Sequence, residues 1–316
     1  MMTEVSLPGL DGSNPLAFMA ALGVLRVLDD KARRDALPAP SLSWREQPVW
    51  TPVVVGPSSI DEILAGLEDD RVRWTDEPSM RLAYTKDGTR VAPETTGAVR
   101  DLKPVPRVMR EFLEETAARA ADGDARSARH AAAYGTDVAQ DKKGNTKPTA
   151  LHFAAGQQTF LGAVAGIQKS LDRDDLVSAL VGPWKHSTTL KSLGWDPEGA
   201  FNARIYALRA GKPVDRPCAP GVEWLAFVGL SFFPTVPRGR NVLTTCVLGR
   251  GKGAKFVWPL WTAMARARTV ESIVRTGHIE QMPPTDRRAR GIVRAFSCRI
   301  LRNDHGYGSF SPSRAC

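Results

Sequence analysis

"NPLAFMAALGVLRVL", residues 14–28, is the stretch of sequence that decides the fold. Asn14 is a favoured N-cap, because its side chain can accept a hydrogen bond from a free amide of the first helical turn. Pro15 follows at the first helical position, where its missing N–H costs nothing. The apolar residues after it surround the helix axis instead of forming one stripe, which is typical of a helix buried on most sides. The sequence therefore predicts a buried helix that begins at Pro15.

The segments around this helix predict an N-terminal α+β domain, residues 1–121. The stretch "SLSWREQPVWTPVVVG" (41–56) has the β-branched and aromatic residues of short strands, interrupted by prolines. The stretch "SSIDEILAGLEDD" (58–70) has a serine at its start and acids in its first turn, as amphipathic helices do. A longer helix is predicted from 107 to about 121.

Residues 122–149 differ in composition and are predicted to form a flexible loop. The segment is rich in Gly, Asp, Asn and Lys, which favour turns and loops. A loop of this length in a compact protein is usually either functional or mobile. Its lysines could close over a ligand, and an ordinary surface loop explains them equally well.

Residues 150–316 are predicted to form a helical core with a basic hairpin and a C-terminal region. Helices are expected at 150–171, at 172–184 and at 222–234. The stretch "VLTTCVLGRGKGAKFVWPLW" (242–261) alternates around glycines and indicates a β-hairpin. The fold class predicted for the whole chain is α+β, with a helix-rich centre, short strands and a C-terminal β-hairpin.

The positive charge of the chain is concentrated near its C-terminal end. The whole sequence has 43 Lys and Arg against 34 Asp and Glu, a net charge of +9. Residues 237–316 alone hold 15 basic and 4 acidic residues, a net of +11, so the first 236 residues sum to −2. Such asymmetry is typical of a protein with a polyanionic partner, because basic residues that neutralise phosphates release counterions. A merely solubilising surface is the alternative.

Recognisable catalytic motifs do not occur in the sequence. The turn "GRGKGAK" (249–255) departs from the nucleotide-binding P-loop pattern, because Ala254 and Phe256 stand where that pattern needs Gly and Ser or Thr. The five histidines have no metal-binding spacing, and the four cysteines are scattered, as expected of reduced thiols in a cytoplasmic protein. We expect no cofactor, no metal site and no membrane segment, although ligands brought together by the fold would leave a metal-dependent nuclease possible in principle.

The stretch "KSLGWDPEGAFNARIYALR" (191–209) indicates a turn followed by a basic segment. Trp195 offers an apolar face, and Asp196 before Pro197 can accept backbone hydrogen bonds that hold a turn. Basic residues interleaved with a tyrosine after this turn suit a nucleic-acid backbone. An anchored corner without any ligand is the alternative. The candidate contact residues are Lys185, Lys191, Arg204 and Arg209 in a first group, and Arg238, Arg240, Arg250, Lys252 and Lys255 on and near the hairpin.

Four stretches carry a resemblance to one family. They are "LPGLDGSNPLAFMAALGVLRVL" (7–28), "AGQQTFLGAV" (155–164), "LGWDPEGAFNARIYALR" (193–209) and "GVEWLAFVGLSFFP" (221–234). Together they resemble the large-subunit-type proteins of type I-G (formerly I-U) CRISPR systems, and still more the related group described as an extension of the CRISPR helicase–nuclease.

The resemblance implies a non-catalytic subunit of a surveillance complex. Its partners would be the CRISPR RNA and target DNA, other subunits of the complex and the helicase–nuclease. Guide pairing reads most of the target in such complexes, and protein reads shape and a short protospacer-adjacent motif. The alternative within this context is an adaptor that recruits the helicase–nuclease through exposed tryptophans, because Trp is a favoured anchor at protein interfaces.

Overall fold

The computed structural model describes residues 3–82, 84–86, 89–91, 101–155, 158–200, 216–304 and 306–316. It has an α+β fold, as predicted. The helices, labelled α1 to α9 in chain order, are Pro15–Arg34, Ile60–Arg73, Pro106–Ala121, Arg126–Tyr134, Phe160–Ser170, Arg173–Val181, Pro220–Gly229, Ala267–Val274 and Pro284–Ala289. The strands, β1 to β15, are Glu4–Ser6, Ser41–Glu46, Trp50–Val55, Tyr84–Lys86, Thr89–Val91, Gly135–Gln140, Thr146–Pro148, Thr235–Arg238, Asn241–Thr244, Val247–Leu248, Lys255–Trp261, Ala265–Arg266, Ile292–Arg302, Gly308–Phe310 and Arg314–Ala315.

Helix α1 lies in the centre of the core, and Asn14 is its N-cap, as predicted. The Asn14 side-chain oxygen accepts hydrogen bonds from the amides of Leu16 (2.9 Å) and Ala17 (3.4 Å). The helix is buried without interruption from Pro15 to Asp29. It packs against α7, and one hydrophobic cluster extends from Val5 to Phe310. The segments on both sides of the predicted loop therefore share one core.

Two antiparallel sheets flank the helices. In the first, the strand order is β1–β3–β2–β12, so a strand from residue 265 completes an otherwise N-terminal sheet. In the second, the order is β10–β11–β13–β14, with β15 also paired to β13. Strands β10 and β11 form the predicted hairpin, with Val247 opposite Phe256 and Leu248 opposite Lys255. Two further hairpins, β6–β7 and β8–β9, lie beside each other.

The prediction of a flexible loop at 122–149 is wrong. This segment contains α4 and the β6–β7 hairpin, and its side chains take part in the core. His130 on α4 is buried against the Trp74 ring, with ring centroids 4.6 Å apart. Burial lowers the pKa of His130 to about 3, because the charged imidazolium loses its hydration there. Tertiary burial thus stabilises a helix whose neighbouring glycines and lysines favour a loop.

The helix predicted at 150–171 begins only at residue 160. The Arg302 guanidinium donates hydrogen bonds to the carbonyls of Ala150 (3.0 Å) and His152 (3.1 Å), and the Trp195 indole donates to that of Leu151 (2.9 Å). These carbonyls are therefore engaged by side chains instead of helical amides. The helix predicted at 222–234 ends at Gly229 and continues as one 3₁₀ turn, Leu230–Phe232.

Two stretches that carry the family resemblance meet at one corner of the fold. Asp196 accepts hydrogen bonds from the amides of Glu198 and Gly199, both at 3.0 Å, which is the turn-holding role predicted for it. The Asn14 side chain also hydrogen-bonds to this carboxylate, while its oxygen caps α1. Burial is the largest influence on Asp196 and raises its pKa. The corner thus fastens the start of α1 to the turn after the fully buried Trp195.

Candidate nucleic-acid interface

A cleft of about 990 Å³ lies between the β8–β9 hairpin, the β10–β11 hairpin and the segment that follows α8. Its floor is aliphatic, with Val236, Leu243, Leu248 and Ile279 among the lining side chains. Arg238, Arg250, Arg275 and His278 also line it, and all four are exposed to solvent. No Asp or Glu belongs to the described lining residues. We call this feature the cationic cleft.

The β8–β9 hairpin is held to the body of the protein by threonine hydroxyls. The Thr235 hydroxyl donates to the carbonyl of Ala132 (3.0 Å), and the Thr245 hydroxyl donates to that of Pro234 (2.9 Å). The Thr244 hydroxyl accepts a hydrogen bond from the amide of Ala150 (2.9 Å). One wall of the cleft is therefore fixed by threonine side chains that hydrogen-bond to backbone groups at the base of the hairpin and beside it.

The β10–β11 turn forms the second wall and depends on glycine. Gly249 has φ +76°, and a Cβ added there would lie 2.6 Å from the carbonyl oxygen of Gly253. Only glycine fits this close approach of backbone to backbone. The tight turn places Arg250 at the rim of the cleft, with Lys252 exposed beside it in a short 3₁₀ turn.

The third wall follows the end of α8, where Arg275 is the C-cap. His278 has φ +57°, in the left-handed region, and its carbonyl accepts a hydrogen bond from the amide of Gln281 (2.9 Å). This reversal directs the chain back toward β11 and brings Arg275 and His278 to the same cleft as Arg238 and Arg250. Arg275 and His278 were not among the contacts predicted from the sequence, although Gly277 just after a helical segment indicates a chain reversal there.

Lys255 does not line the cleft, contrary to its predicted place among the hairpin contacts. Its ammonium lies 3.2 Å from both carboxylate oxygens of Glu280, and the lysine side chain is 34% exposed. The ion pair neutralises a charge that would otherwise attract phosphate, so we remove Lys255 from the candidate contacts. Arg238, Arg240, Arg250 and Lys252 are exposed, and none of these four forms an ion pair with a described residue.

The first predicted group of contacts is not brought to the cleft. Lys185 lies 3.2 Å from the Asp174 carboxylate on the exposed surface of α6. Lys191 lines a different depression, beside α5. Arg204 and Arg209 lie outside the described residues. Of the predicted contacts that the structure describes, Arg238 and Arg250 line the cleft, and the other members of both groups do not.

Two arginines of the basic C-terminal region have structural roles. Arg302 donates to the carbonyls of residues 150 and 152 and stacks over the Phe153 ring, with its guanidinium carbon 5.5 Å from the ring centroid. Arg287 donates to the carbonyls of Met282, Glu280 and Cys316. Their charges hold loops together, so not all of the positive charge of residues 237–316 is available to a ligand.

A buried histidine–carboxylate pair was not foreseen from the sequence. His152 Nε2 lies 2.9 Å from a carboxylate oxygen of Asp101, fifty-one residues earlier in the chain. The same carboxylate accepts hydrogen bonds from the amides of Phe160 (2.5 Å) and Leu161 (3.0 Å). Asp101 thus satisfies the first free amides of α5. The His152–Asp101 pair therefore stabilises the start of α5, which is a structural role.

The adaptor alternative predicts exposed tryptophans, and the structure does not have them. Six of the eight tryptophans are buried, and Trp50 and Trp184 are partly buried. The indole N–H of Trp184 donates to the carbonyl of Gly9 at 2.7 Å, so this ring is also held within the fold. On the described surface, Trp50 and Trp184 are therefore the tryptophans of which a part remains accessible to a partner.

Comparisons with protein-family models, with curated proteins and with solved structures give no match to this chain. Within the part of the chain that the structure describes, no three His, Cys, Asp or Glu side chains are gathered as a metal ion would need. None of the described helices is both long enough and apolar enough to cross a lipid bilayer.

Proposed function

We propose that this protein binds nucleic acid along its phosphate backbone in the cationic cleft and leaves the backbone uncut. The observation that carries the proposal is the convergence of Arg238, Arg250, Arg275 and His278 on one concave surface whose described lining has no carboxylate. These residues come from three separate elements. Arginine suits this role, because its planar guanidinium can donate two parallel hydrogen bonds to one phosphate.

The aliphatic floor supports a binding mode that depends little on sequence. Phosphates at the rim would meet arginines, and sugars or base faces would cover Val236 and Leu248. Contacts to phosphate and sugar position a strand without reading bases. Binding should therefore be similar for many sequences and should weaken steeply with salt.

On the family resemblance we propose a type I-G CRISPR surveillance complex as the setting of this activity. In that setting the chain would be a cytoplasmic, non-catalytic subunit that holds target DNA or guide RNA by its backbone. Other subunits of the complex and the helicase–nuclease would be its protein partners. Guide pairing would supply most of the sequence specificity, as in other RNA-guided effectors.

The test of the proposal is the double variant Arg250→Gln with Arg275→Gln. Each lost phosphate contact lowers the salt slope of binding to a single strand by about 0.7, so two lost contacts should lower affinity about 25-fold at 0.1 M salt. Affinity and slope are measured by fluorescence anisotropy with labelled DNA and RNA across a salt series.

The matched control is Arg81→Gln with Lys169→Gln. These two residues line a separate depression beside α5, and the control removes the same number of positive charges. It should bind like the parent. Equal affinity and slope for the cleft variant and the control would overturn the proposal.

Replacing Glu280 by glutamine should strengthen binding. The change removes the carboxylate that pairs with Lys255 and frees a lysine close to the cleft. One added contact should raise affinity for a single strand by up to about fivefold at 0.1 M salt and raise the slope by about 0.7. Glu198→Gln removes the same charge from an exposed position in the turn after Asp196 and serves as the control. An identical gain in both variants would show that only net charge matters.

A further inference from the structure

Strand β7 of the β6–β7 hairpin contacts the tip of the β8–β9 hairpin. The Lys147 ammonium on β7 donates to the carbonyl of Arg240 (2.6 Å) and lies 3.3 Å from the side-chain oxygen of Asn241. Arg240 and Asn241 belong to the tip of the second hairpin, because Asn241 pairs with Arg238 across it. Lys147 is two residues beyond the tip of the first hairpin, residues 141–145. The tip of the first hairpin is therefore two residues along the chain from the contact with the second tip.

Four exposed cations stand on these two tips. They are Lys142, Lys143, Arg238 and Arg240, and we call them the tip strip. None of the four forms an ion pair with a described residue. The nearby acids are engaged locally: Asp141 accepts hydrogen bonds from the amides of Lys143 (2.8 Å) and Asn145 (3.1 Å), and Asp137 pairs with Arg110 at 2.9 Å.

The tip strip is continuous with the cationic cleft, because Arg238 belongs to both. It lines the cleft, and it also flanks the turn that Lys147 holds. We infer that the binding surface continues from the cleft over the tip strip and that the ligand is a nucleic-acid strand long enough to cover both. This inference rests on the proposed function and extends it from a local phosphate site to a track for a polymer.

The dimensions of the chain agree with several phosphates on the track. Lys143 is four residues from Lys147, which corresponds to at most about 13 Å of extended chain. Phosphates on one strand of a duplex follow each other at about 3.4 Å along the axis, so Lys143 lies at most about four such phosphates away from Lys147. Single-strand-binding sites span about four to sixteen nucleotides, so we choose a strand of about four nucleotides as the probe for the cleft alone and one of about sixteen as the probe for the whole track.

The experiment compares two variants on two lengths of single-stranded DNA. Lys142→Gln with Lys143→Gln should lower affinity for a strand of about sixteen nucleotides by about 25-fold at 0.1 M salt and lower the slope by about 1.4. It should leave the affinity for a strand of about four nucleotides unchanged. The cleft variant, Arg250→Gln with Arg275→Gln, should weaken binding of both lengths, and Arg81→Gln with Lys169→Gln should weaken neither. Unfolding midpoints of all the variants confirm that each is folded.

The outcomes separate this inference from the function on which it rests. If the cleft variant weakens binding and the tip variant changes neither length, the track is wrong and the cleft remains the site. Equal losses on both lengths for the tip variant would also overturn the track, because the short strand would then reach the tips. If the cleft variant itself binds like the parent, the proposed function fails and the track fails with it.

Discussion

Gly23→Ala should lower the free energy of unfolding by more than about 3 kcal/mol, a large part of the stability of an ordinary domain. A Cβ added at residue 23 would lie 1.8 Å from the carbonyl oxygen of Leu225, where α1 crosses α7. The contact is reciprocal, because a Cβ at Gly229 would lie 2.0 Å from the carbonyl oxygen of Met19. The atoms in the way are backbone on both sides, so no side chain can rotate to relieve the overlap. Overpacking of a core costs about 1–3 kcal/mol when side chains give way, and more when they cannot.

The control for this substitution is Gly166→Ala in α5. A Cβ added there meets nothing within 4 Å, and residue 166 is exposed. Alanine is favoured over glycine in a helix by about 1 kcal/mol, so this variant should be stabilised by up to that amount. Urea unfolding followed by circular dichroism measures both changes. If both substitutions stabilise the protein, α1 and α7 do not pack as closely as described.

The sequence predicts α1 correctly because its signals are local. Asn14 and Pro15 specify the start of the helix, and the apolar residues around its axis indicate burial without any knowledge of the neighbours. The helix against which α1 packs cannot be predicted in the same way. The close approach of Gly23 to Leu225 joins residues about two hundred positions apart, and no local signal identifies such a pair.

The prediction of a loop at 122–149 was wrong for a related reason, because it too depends on contacts that are distant in the sequence. Lys142, Lys143 and Gly144 lie at the tip of the β6–β7 hairpin, where a turn does form, whereas Gly135 begins β6 and Lys147 is on β7. The preceding α4 is stabilised by burial of His130 between Trp74 and Phe227. The composition of the hairpin turn was therefore taken to indicate a loop over the whole segment.

The cationic cleft could be predicted in part. Arg238 and Arg250 were among the candidate contacts because the hairpin pattern and the charge asymmetry are visible in the sequence. Arg275 joins them only because the chain reverses at His278, and Lys255 leaves them only because Glu280, twenty-five residues later, pairs with it. Which charges face a ligand and which face each other is decided by the tertiary structure.

Glu223 should make the stability of the protein depend on pH. Its carboxylate is fully buried in α7, where it accepts hydrogen bonds from the Ser192 hydroxyl (2.7 Å) and the Leu193 amide (2.5 Å). Burial raises the pKa of Glu223 from 4.5 to about 7, since the loss of hydration outweighs these hydrogen bonds. The folded state therefore holds a proton between pH 4.5 and about 7 that the unfolded state has released. In this window the contribution of Glu223 to stability falls as pH rises.

His130 acts in the opposite direction over an overlapping window. Its folded pKa of about 3 lies below the ordinary 6.5, so its contribution to stability falls as pH decreases from 6.5. The two slopes oppose each other between pH 4.5 and 6.5, and the pH profile of the parent protein alone does not isolate either group. A comparison of Glu223→Gln with the parent at each pH isolates the contribution of Glu223, because the contribution of His130 to stability is the same in both proteins.

Glu223→Gln should therefore become more stable relative to the parent as pH rises, by about 3 kcal/mol between pH 4.5 and pH 8.5. Glutamine imitates the protonated carboxyl, since its oxygen can accept from the Leu193 amide while its NH₂ donates to the Ser192 hydroxyl oxygen. Urea unfolding of both proteins at several pH values gives the difference directly. A flat difference would mean that the buried carboxyl ionises normally, and a difference that falls with pH would mean that the ionised form is the one that the fold stabilises.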